Sequence, residues 1–310
     1  MNAAISINNV KKSFGAVDAL KGIDLIINRG EFFGLLGPNG AGKSTLINII
    51  AGLSRADSGE VAVLGHNVVA DYREARRALG VVPQELVFDA FFSVREVLEM
   101  QSGYFGLGKS NNAWIDELLD ALALTDKADA NMRALSGGMK RRVLIAQALV
   151  HQPEVVILDE PTAGVDVELR QLLWGFVEQL NQKGHTIVLT THYLEEAEKL
   201  CDRIAILNHG EVIALDSKES LLQSEICNTL HLVIKAAEPL QSPLHLPQNI
   251  EDKIKSINGS TMRLELHKDK DSIVSVLDAI ASAGIKVVDL ETERADLEDV
   301  FVELTRKRPS

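Results

Sequence analysis

Two hydrophobic periods alternate along the chain. Near the start, Ile5-Ser6-Ile7 alternates, Ile23-Asp24-Leu25-Ile26-Ile27 runs apolar, and residues 31–36 lead into a glycine-rich loop. These segments read as strands. Residues 43–51 switch to helical spacing, with Leu46, Ile49 and Ile50 on one face and Gly52 placed to end the helix. Residues 93–149 stay helical, with an apolar stripe of Trp114, Ile115, Leu118, Leu119 and Leu122. Short apolar strands follow at 155–158, 186–190 and 203–207, joined by segments of helix length. That alternation predicts an α/β fold around a mostly parallel sheet covered on both faces.

The pattern changes again near residue 226. Pro239, Pro243 and Pro247 break up a loop, and then Met262, Leu264 and Leu266 alternate with Arg263 and Glu265 as a half-buried strand. Ile273, Val276, Leu277 and Ile280 have helical spacing, 287–290 is a strand, and Leu297, Val300, Phe301 and Leu304 form a last amphipathic helix. Two domains are expected: residues 1–225, and a small α+β accessory domain over 226–310 that carries no catalytic cluster.

Composition narrows the function. The 310 residues carry a formal charge of −12, which argues against a broad nucleic-acid surface. No stretch approaches the roughly 18 apolar residues that span a bilayer, so a pore would have to come from another chain. Residues 1–10 lack a basic segment followed by an apolar one, so no secretory signal is expected. Cys201 and Cys227 make no disulfide framework, in keeping with a reducing cytosol.

The chemistry begins at Gly37-Pro38-Asn39-Gly40-Ala41-Gly42-Lys43-Ser44-Thr45, which satisfies G-x-x-x-x-G-K-[ST]. Glycines let the backbone curl so that its N–H groups face phosphate oxygens, and the following helix N-terminus adds positive potential. Lys43 should reach the β- and γ-phosphates, and the Ser44 hydroxyl should bind Mg²⁺. A second cluster, Asp159-Glu160, ends an apolar strand, where open α/β sheets place ligands. Taken alone the pair could cap a helix. With the phosphate loop, Asp159 becomes the metal holder, directly or through water, and Glu160 the base that polarises the attacking water.

Ser136-Gly137-Gly138, preceded by Leu135, opens a helix just upstream of that strand. Taken alone it is a capped helix with exposed N–H groups. Placed between phosphate loop and acid pair, it resembles the signature of the ABC-transporter ATPases, with Met139 in place of the usual Gln. The resemblance covers residues 3–225 and implies a P-loop NTPase of the ABC type: a mixed sheet core, an antiparallel β subdomain and an α-helical subdomain. It further implies that Gln84 contacts Mg²⁺ and the attacking water, that His192 contacts the γ-phosphate, and that Phe14 stacks on adenine. Asp166 matches the D-loop aspartate, whereas Ala163 stands where the family carries serine.

The same resemblance implies a homodimer across ATP. One subunit supplies residues 37–45, Asp159 and Glu160; the other supplies Ser136, Gly137 and Gly138. An integral membrane permease is the other expected partner, with the chain peripheral on the cytoplasmic face of the membrane. Phe88, Phe91 and Phe92 are either part of a docking groove or plain core. Residues 139–142 (Met-Lys-Arg-Arg), 191–198 and 296–305 resemble the type 2 exporters, including multidrug and daunorubicin-exporter ATPases. A soluble ABC ATPase of ribosomes or DNA would carry paired ATPase units or a long coiled coil. A non-hydrolysing module would be expected to lack Glu160 or His192.

Overall fold

The computed structural model describes residues 3–223, 229–240, 244, 246–267, 270–294 and 297–306. Cys227, Pro243, Asp296 and the start of the second unit as read at residue 226 lie outside them. The chain forms two compact units, residues 1–216 and 217–310, dividing ahead of the change in pattern at residue 226.

The first unit opens with strands β1 (Ala3–Phe14), β2 (Val17–Asn28) and β3 (Phe32–Leu36) and helix α1 (Lys43–Ile50). Strands β4 (Ser58–Val63) and β5 (His66–Asn67), helix α2 (Tyr72–Ala78) and strand β6 (Leu79–Val82) follow. Three helices come next, α3 (Val94–Tyr104), α4 (Asn112–Ala121) and α5 (Gly137–Leu149). Then β7 (Val155–Asp159), α6 (Val167–Gln182), β8 (Thr186–Thr190), α7 (Leu194–Leu200), β9 (Arg203–Asn208) and β10 (Glu211–Ser217) alternate as the pattern requires.

These strands make two sheets. One has the order β2-β1-β4-β5 with antiparallel pairs. The other has the order β10-β9-β3-β8-β7-β6, parallel from β9 through β6. One apolar core holds them together, in which Ile7 and Ile23 of the first sheet, Leu46 and Ile49 of α1, and Phe33 and Val188 of the second sheet are all buried. Each fully buried side chain of this size contributes about 1.5–3 kcal/mol. Strands β1 and β2 extend far beyond their apolar patches. Register shifts between Ile7 and Val10 and between Lys12 and Ser13 break the two-residue alternation there.

Between β6 and β7 the chain is helical. Ile115, Leu118 and Leu119 of α4 are buried, and Trp114 donates from Nε1 to the Leu149 carbonyl at 3.0 Å. Ser93 starts α3 with a reciprocal capping box to Glu96. Among the described residues no helix is long and apolar enough to cross a membrane.

The second unit runs α8 (Lys218–Leu222), β11 (Thr229–Ala236), α9 (Gln248–Glu251), β12 (Ile254–Asn258), β13 (Thr261–His267), α10 (Ile273–Ser282), β14 (Val287–Arg294) and α11 (Leu297–Arg306). Its antiparallel sheet has the order β12-β13-β11-β14, which with the intervening helices is a split β-α-β, ferredoxin-like arrangement. Leu232, Ile234, Met262 and Leu264 pack with Val276 and Ile280 of α10. Helix α11 buries Leu297 and Val300, with Val300 packed against Leu222.

Candidate functional site

Strand order gathers the chemistry. β3, β8, β7 and β6 are consecutive parallel neighbours, so their carboxyl ends share one edge of the sheet. The phosphate loop follows β3, Thr191-His192 follows β8, Asp159-Glu160 closes β7, and Pro83-Gln84 follows β6. Motifs more than a hundred residues apart in sequence therefore meet at the ligand edge of a parallel sheet.

Glycine is required in the loop by close approach. A Cβ on Gly37 would lie 2.3 Å from the Leu207 carbonyl oxygen. Gly42, the N-cap of α1, has φ +109°, and a Cβ there would lie 2.6 Å from the Ala19 carbonyl oxygen. Lys43 is buried, and its Nζ donates to the Gly37 carbonyl at 2.7 Å and the Pro38 carbonyl at 3.2 Å. Burial lowers the ammonium pKa, and the charges of Glu160 and Asp159 oppose that shift.

The acid pair is equally buried. Burial pushes the Asp159 carboxyl up, the Thr190 hydroxyl opposes this from 2.5 Å at Oδ1, and the Glu160 charge adds to the rise. Glu160 is held at φ +48°, a conformation sparse for a non-glycine residue. Its N–H donates to the Thr190 carbonyl at 3.0 Å and to Thr190 Oγ1 at 3.1 Å, and these bonds fix the turn. Glu160 Oε2 then accepts from Gln84 Nε2 at 3.0 Å and lies 3.2 Å from His192 Nδ1. One oxygen of Glu160 thus contacts two of the other three residues the sequence assigned to the reaction, Gln84 and His192.

Gln84 is anchored from a further element. Arg141 on α5, 4% exposed, donates from its two terminal nitrogens to the Pro83 and Gln84 carbonyls, each at 2.7 Å. The Ser136 helix therefore holds the Gln84 segment of the same chain.

The donors fit a hard divalent cation. Asp159 spends Oδ1 on Thr190 and keeps Oδ2; Gln84 spends Nε2 on Glu160 and keeps Oε1. With the Ser44 hydroxyl these are oxygen ligands of the kind Mg²⁺ takes. The two buried acids face two cations, Lys43 and Arg141, so the fit to a divalent ion rests on these oxygen donors and not on an excess of negative charge. Among the described residues no group of three or more His, Cys, Asp and Glu could hold a metal, so a cation here would rest on few protein ligands, as Mg²⁺ usually does.

A cavity of about 320 Å³ opens at this edge, lined by residues 39–45, Gln84 and Glu160. The antiparallel sheet contributes residues 17–19 and Lys21 to its wall, and the β9–β10 turn contributes His209. Phe14 does not line it: the ring is 55% exposed, with Lys12 Nζ 5.4 Å from its centroid. Nor do Gly37, Pro38, Asp159, His192, Ser136, Gly137, Gly138 and Asp166, although Asp159 and His192 lie at the same sheet edge. Ser136 caps α5, accepting from the Met139 N–H at 3.2 Å, and Asp166 caps α6, accepting from the Leu169 N–H at 2.8 Å. Both caps are exposed. Arg141, Thr190 and His209 were not singled out in the sequence as site residues. Arg141 lay within residues 139–142 and Thr190 within Thr190-Thr191-His192, and His209 had a signal, the turn His209-Gly210 at a strand's carboxyl end.

A phosphate loop and an acid pair on a covered parallel sheet define a P-loop nucleoside triphosphatase. The sequence family described as ABC transporter matches residues 20–163. The chain is also similar to the Nod factor export ATP-binding protein I of Rhizobium sp. (strain N33), 39% identical over 305 residues that cover 97% of each chain. The chain belongs to the ABC transporter ATP-binding family, and it is an ATPase of that type. Among solved structures, an ATP-binding subunit of an ABC transporter superposes with a TM-score of 0.67 at 28% identity, covering 71% of this chain and 92% of that one. A dimeric ATP-binding cassette in a post-hydrolysis state with ADP and Pi gives a TM-score of 0.64 at 30% identity, covering 69% and 98%.

Proposed function

We propose that the chain drives export by closing, ATP in hand, against a second copy of itself. The observation that carries this reading is the convergence of Gln84 and His192 on one oxygen of Glu160. In it Glu160 is the general base, polarising a water in line with the γ-phosphate, and His192 and Gln84 orient that carboxylate and the phosphate. Lys43 neutralises the β- and γ-phosphates, and Ser44, Gln84 and Asp159 hold Mg²⁺, which supplies charge neutralisation when bound.

The exposed caps Ser136 and Asp166 support a shared site. Neither lines the cavity of its own chain, and a helix N-terminus with free N–H groups suits an anion presented by another subunit. Export is favoured because the relatives that match over nearly the whole chain are named for Nod factor export. The cargo need not touch this chain.

A membrane permease would dock on the first unit at a groove of about 430 Å³ whose walls include Leu53, Val87, Phe105 and Leu144. Phe88, Phe91 and Phe92 do not line that groove; Phe91 is 78% exposed, which supports docking over core for it, whereas Phe88 and Phe92 are half-buried. Phe88 and Phe91 lie under Lys140 and Arg133, 4.3 and 5.3 Å from their ring centroids. On this reading the chain works at the cytoplasmic face of the membrane.

Ser136→Arg tests the shared site. Nucleotide affinity should stay at the wild-type value while hydrolysis falls to background. Wild-type turnover in that variant would overturn the shared site.

A further inference from the structure

Glu196, in the first turn of α7, is 1% exposed and plays no part in the site as described. Its two oxygens face two different loops. Oε1 accepts from the Thr162 hydroxyl at 2.5 Å, and Oε2 accepts from the Thr191 hydroxyl at 2.8 Å. Thr162 and Thr191 are 1% and 2% exposed, so neither hydroxyl can exchange this acceptor for bulk water. Thr191 Oγ1 in turn accepts from the Tyr193 N–H at 2.9 Å. Arg170 Nε lies 3.7 Å from Glu196 Oε1, and its guanidinium stands 4.7 Å from the Tyr193 ring centroid.

The tied residues sit beside the reacting groups. Thr162 is two residues past Glu160, and Thr191 immediately precedes His192. Among the described residues, the other links between the β7 and β8 loops are the Thr190 bonds at their base, the Arg170 guanidinium at the Tyr193 ring, and the 3.2 Å contact between Glu160 and a His192 side chain that is 48% exposed. That imidazole is held by Glu160 and by the Tyr193 ring, whose centroid is 4.1 Å away, and both contacts depend on where the two loops stand. A buried carboxylate bonded to both loops fixes the backbones from which Glu160 and His192 project.

We propose that Glu196 is a positioning residue that clamps the Glu160 loop to the His192 loop and so sets the contact between those two side chains. The clamp rests on the reading of Glu160 and His192 given above. It acts on the chemical step and leaves nucleotide binding alone, since none of Glu196, Thr162 and Thr191 lines the nucleotide cavity. Glu196→Gln keeps the shape but turns one charged acceptor into an NH₂, to which the threonine hydroxyl must turn and accept, so that arm loses its charge-assisted bond. Thr162→Val and Thr191→Val cut the arms one at a time.

The full-length chain is assayed for ATPase turnover, nucleotide affinity and melting temperature. Glu196→Gln should lower kcat about tenfold to a hundredfold, the range that a displacement of about 1 Å produces. Nucleotide affinity should stay within about twofold and the fold should remain intact. Thr162→Val and Thr191→Val should each reproduce the loss, and the double variant should be no worse than either, because two arms of one clamp do not add. A folded Glu196→Gln or Thr162→Val chain with wild-type kcat overturns the clamp, as does a loss of kcat that tracks falling melting temperature or affinity. If Glu196→Gln does not fold, Thr162→Val decides alone. Glu160→Gln is run beside them: full turnover there removes the underlying reading, whereas an inactive Glu160→Gln with a fully active Thr162→Val removes only the clamp.

Discussion

Arg141→Met removes the fork that holds Gln84 while keeping a side chain of similar length. The fork makes two bonds of 2.7 Å from a charged donor to backbone carbonyls. Bonds of that kind contribute about 1.5–3 kcal/mol each. Two effects reduce the sum: Pro83 and Gln84 are exposed enough for water to reach their carbonyls, and burial disfavours the guanidinium charge that methionine lacks. A net loss of about 1–3 kcal/mol follows, which in a unit of this size lowers the melting temperature by about 2–4 °C per kcal/mol. Turnover should suffer more than stability, because Gln84 Nε2 is bonded to Glu160 and a shift of about 1 Å can cost about a hundredfold. Arg141→Lys should recover part of the stability but little of the turnover, since one ammonium cannot bridge two carbonyls as a planar fork does. Calorimetry and a coupled ATPase assay measure both. If Arg141→Met melts with wild type and keeps wild-type turnover, the fork does not position Gln84 and the reasoning fails.

Two further outcomes follow from local geometry. His151 stacks on Phe105 with centroids 3.7 Å apart, and burial pushes its pKa down to about 4 against an opposing hydrogen bond to the Leu79 carbonyl. The folded pKa lies below the unfolded value of about 6.5, so the unfolded chain takes up the proton first. Stability should therefore fall as pH drops from about 6.5 to about 4, by at most about 3 kcal/mol. His151→Phe, which keeps the stack, should flatten that segment in urea titrations against pH, and identical slopes would refute the assignment. Gly42→Ala should abolish nucleotide binding, because φ +109° and an oxygen 2.6 Å from the new Cβ force the loop to move. Gly40→Ala, with φ +81° but open space around it, should fold and bind more weakly than wild type, and wild-type titration by Gly42→Ala would contradict the close approach.

The sequence disclosed the site better than the sheets. Lys43, Asp159 and Glu160 were legible as candidates because each sits in a short pattern at a strand end, and parallel sheets put strand ends together; Gln84 and His192 were candidates through the family resemblance alone. The far halves of β1 and β2 were not, because register shifts spoil the alternation and Lys11 to Phe14 are largely exposed. Strand β10 lies at the sheet edge with half-buried positions throughout its first part, which gives no two-residue rhythm. Strand β11 was hidden for a different reason: Leu232-Val233-Ile234 is a short apolar run with no two-residue rhythm, and prolines follow shortly after it. Arg141 and Glu196 were hidden because their partners are backbone carbonyls and threonine hydroxyls brought close only by folding. Phe14 was legible as a residue, but in this chain its ring stands outside the cavity wall.

The central claim is that two chains close over ATP and that Glu160 triggers their release. Glu160→Gln tests it most directly when its mass in solution is followed by light scattering with ATP and Mg²⁺. The account predicts a stable dimer with ATP, monomer with ADP, and no turnover. A chain that stays monomeric with ATP, or one that hydrolyses at the wild-type rate, would contradict it.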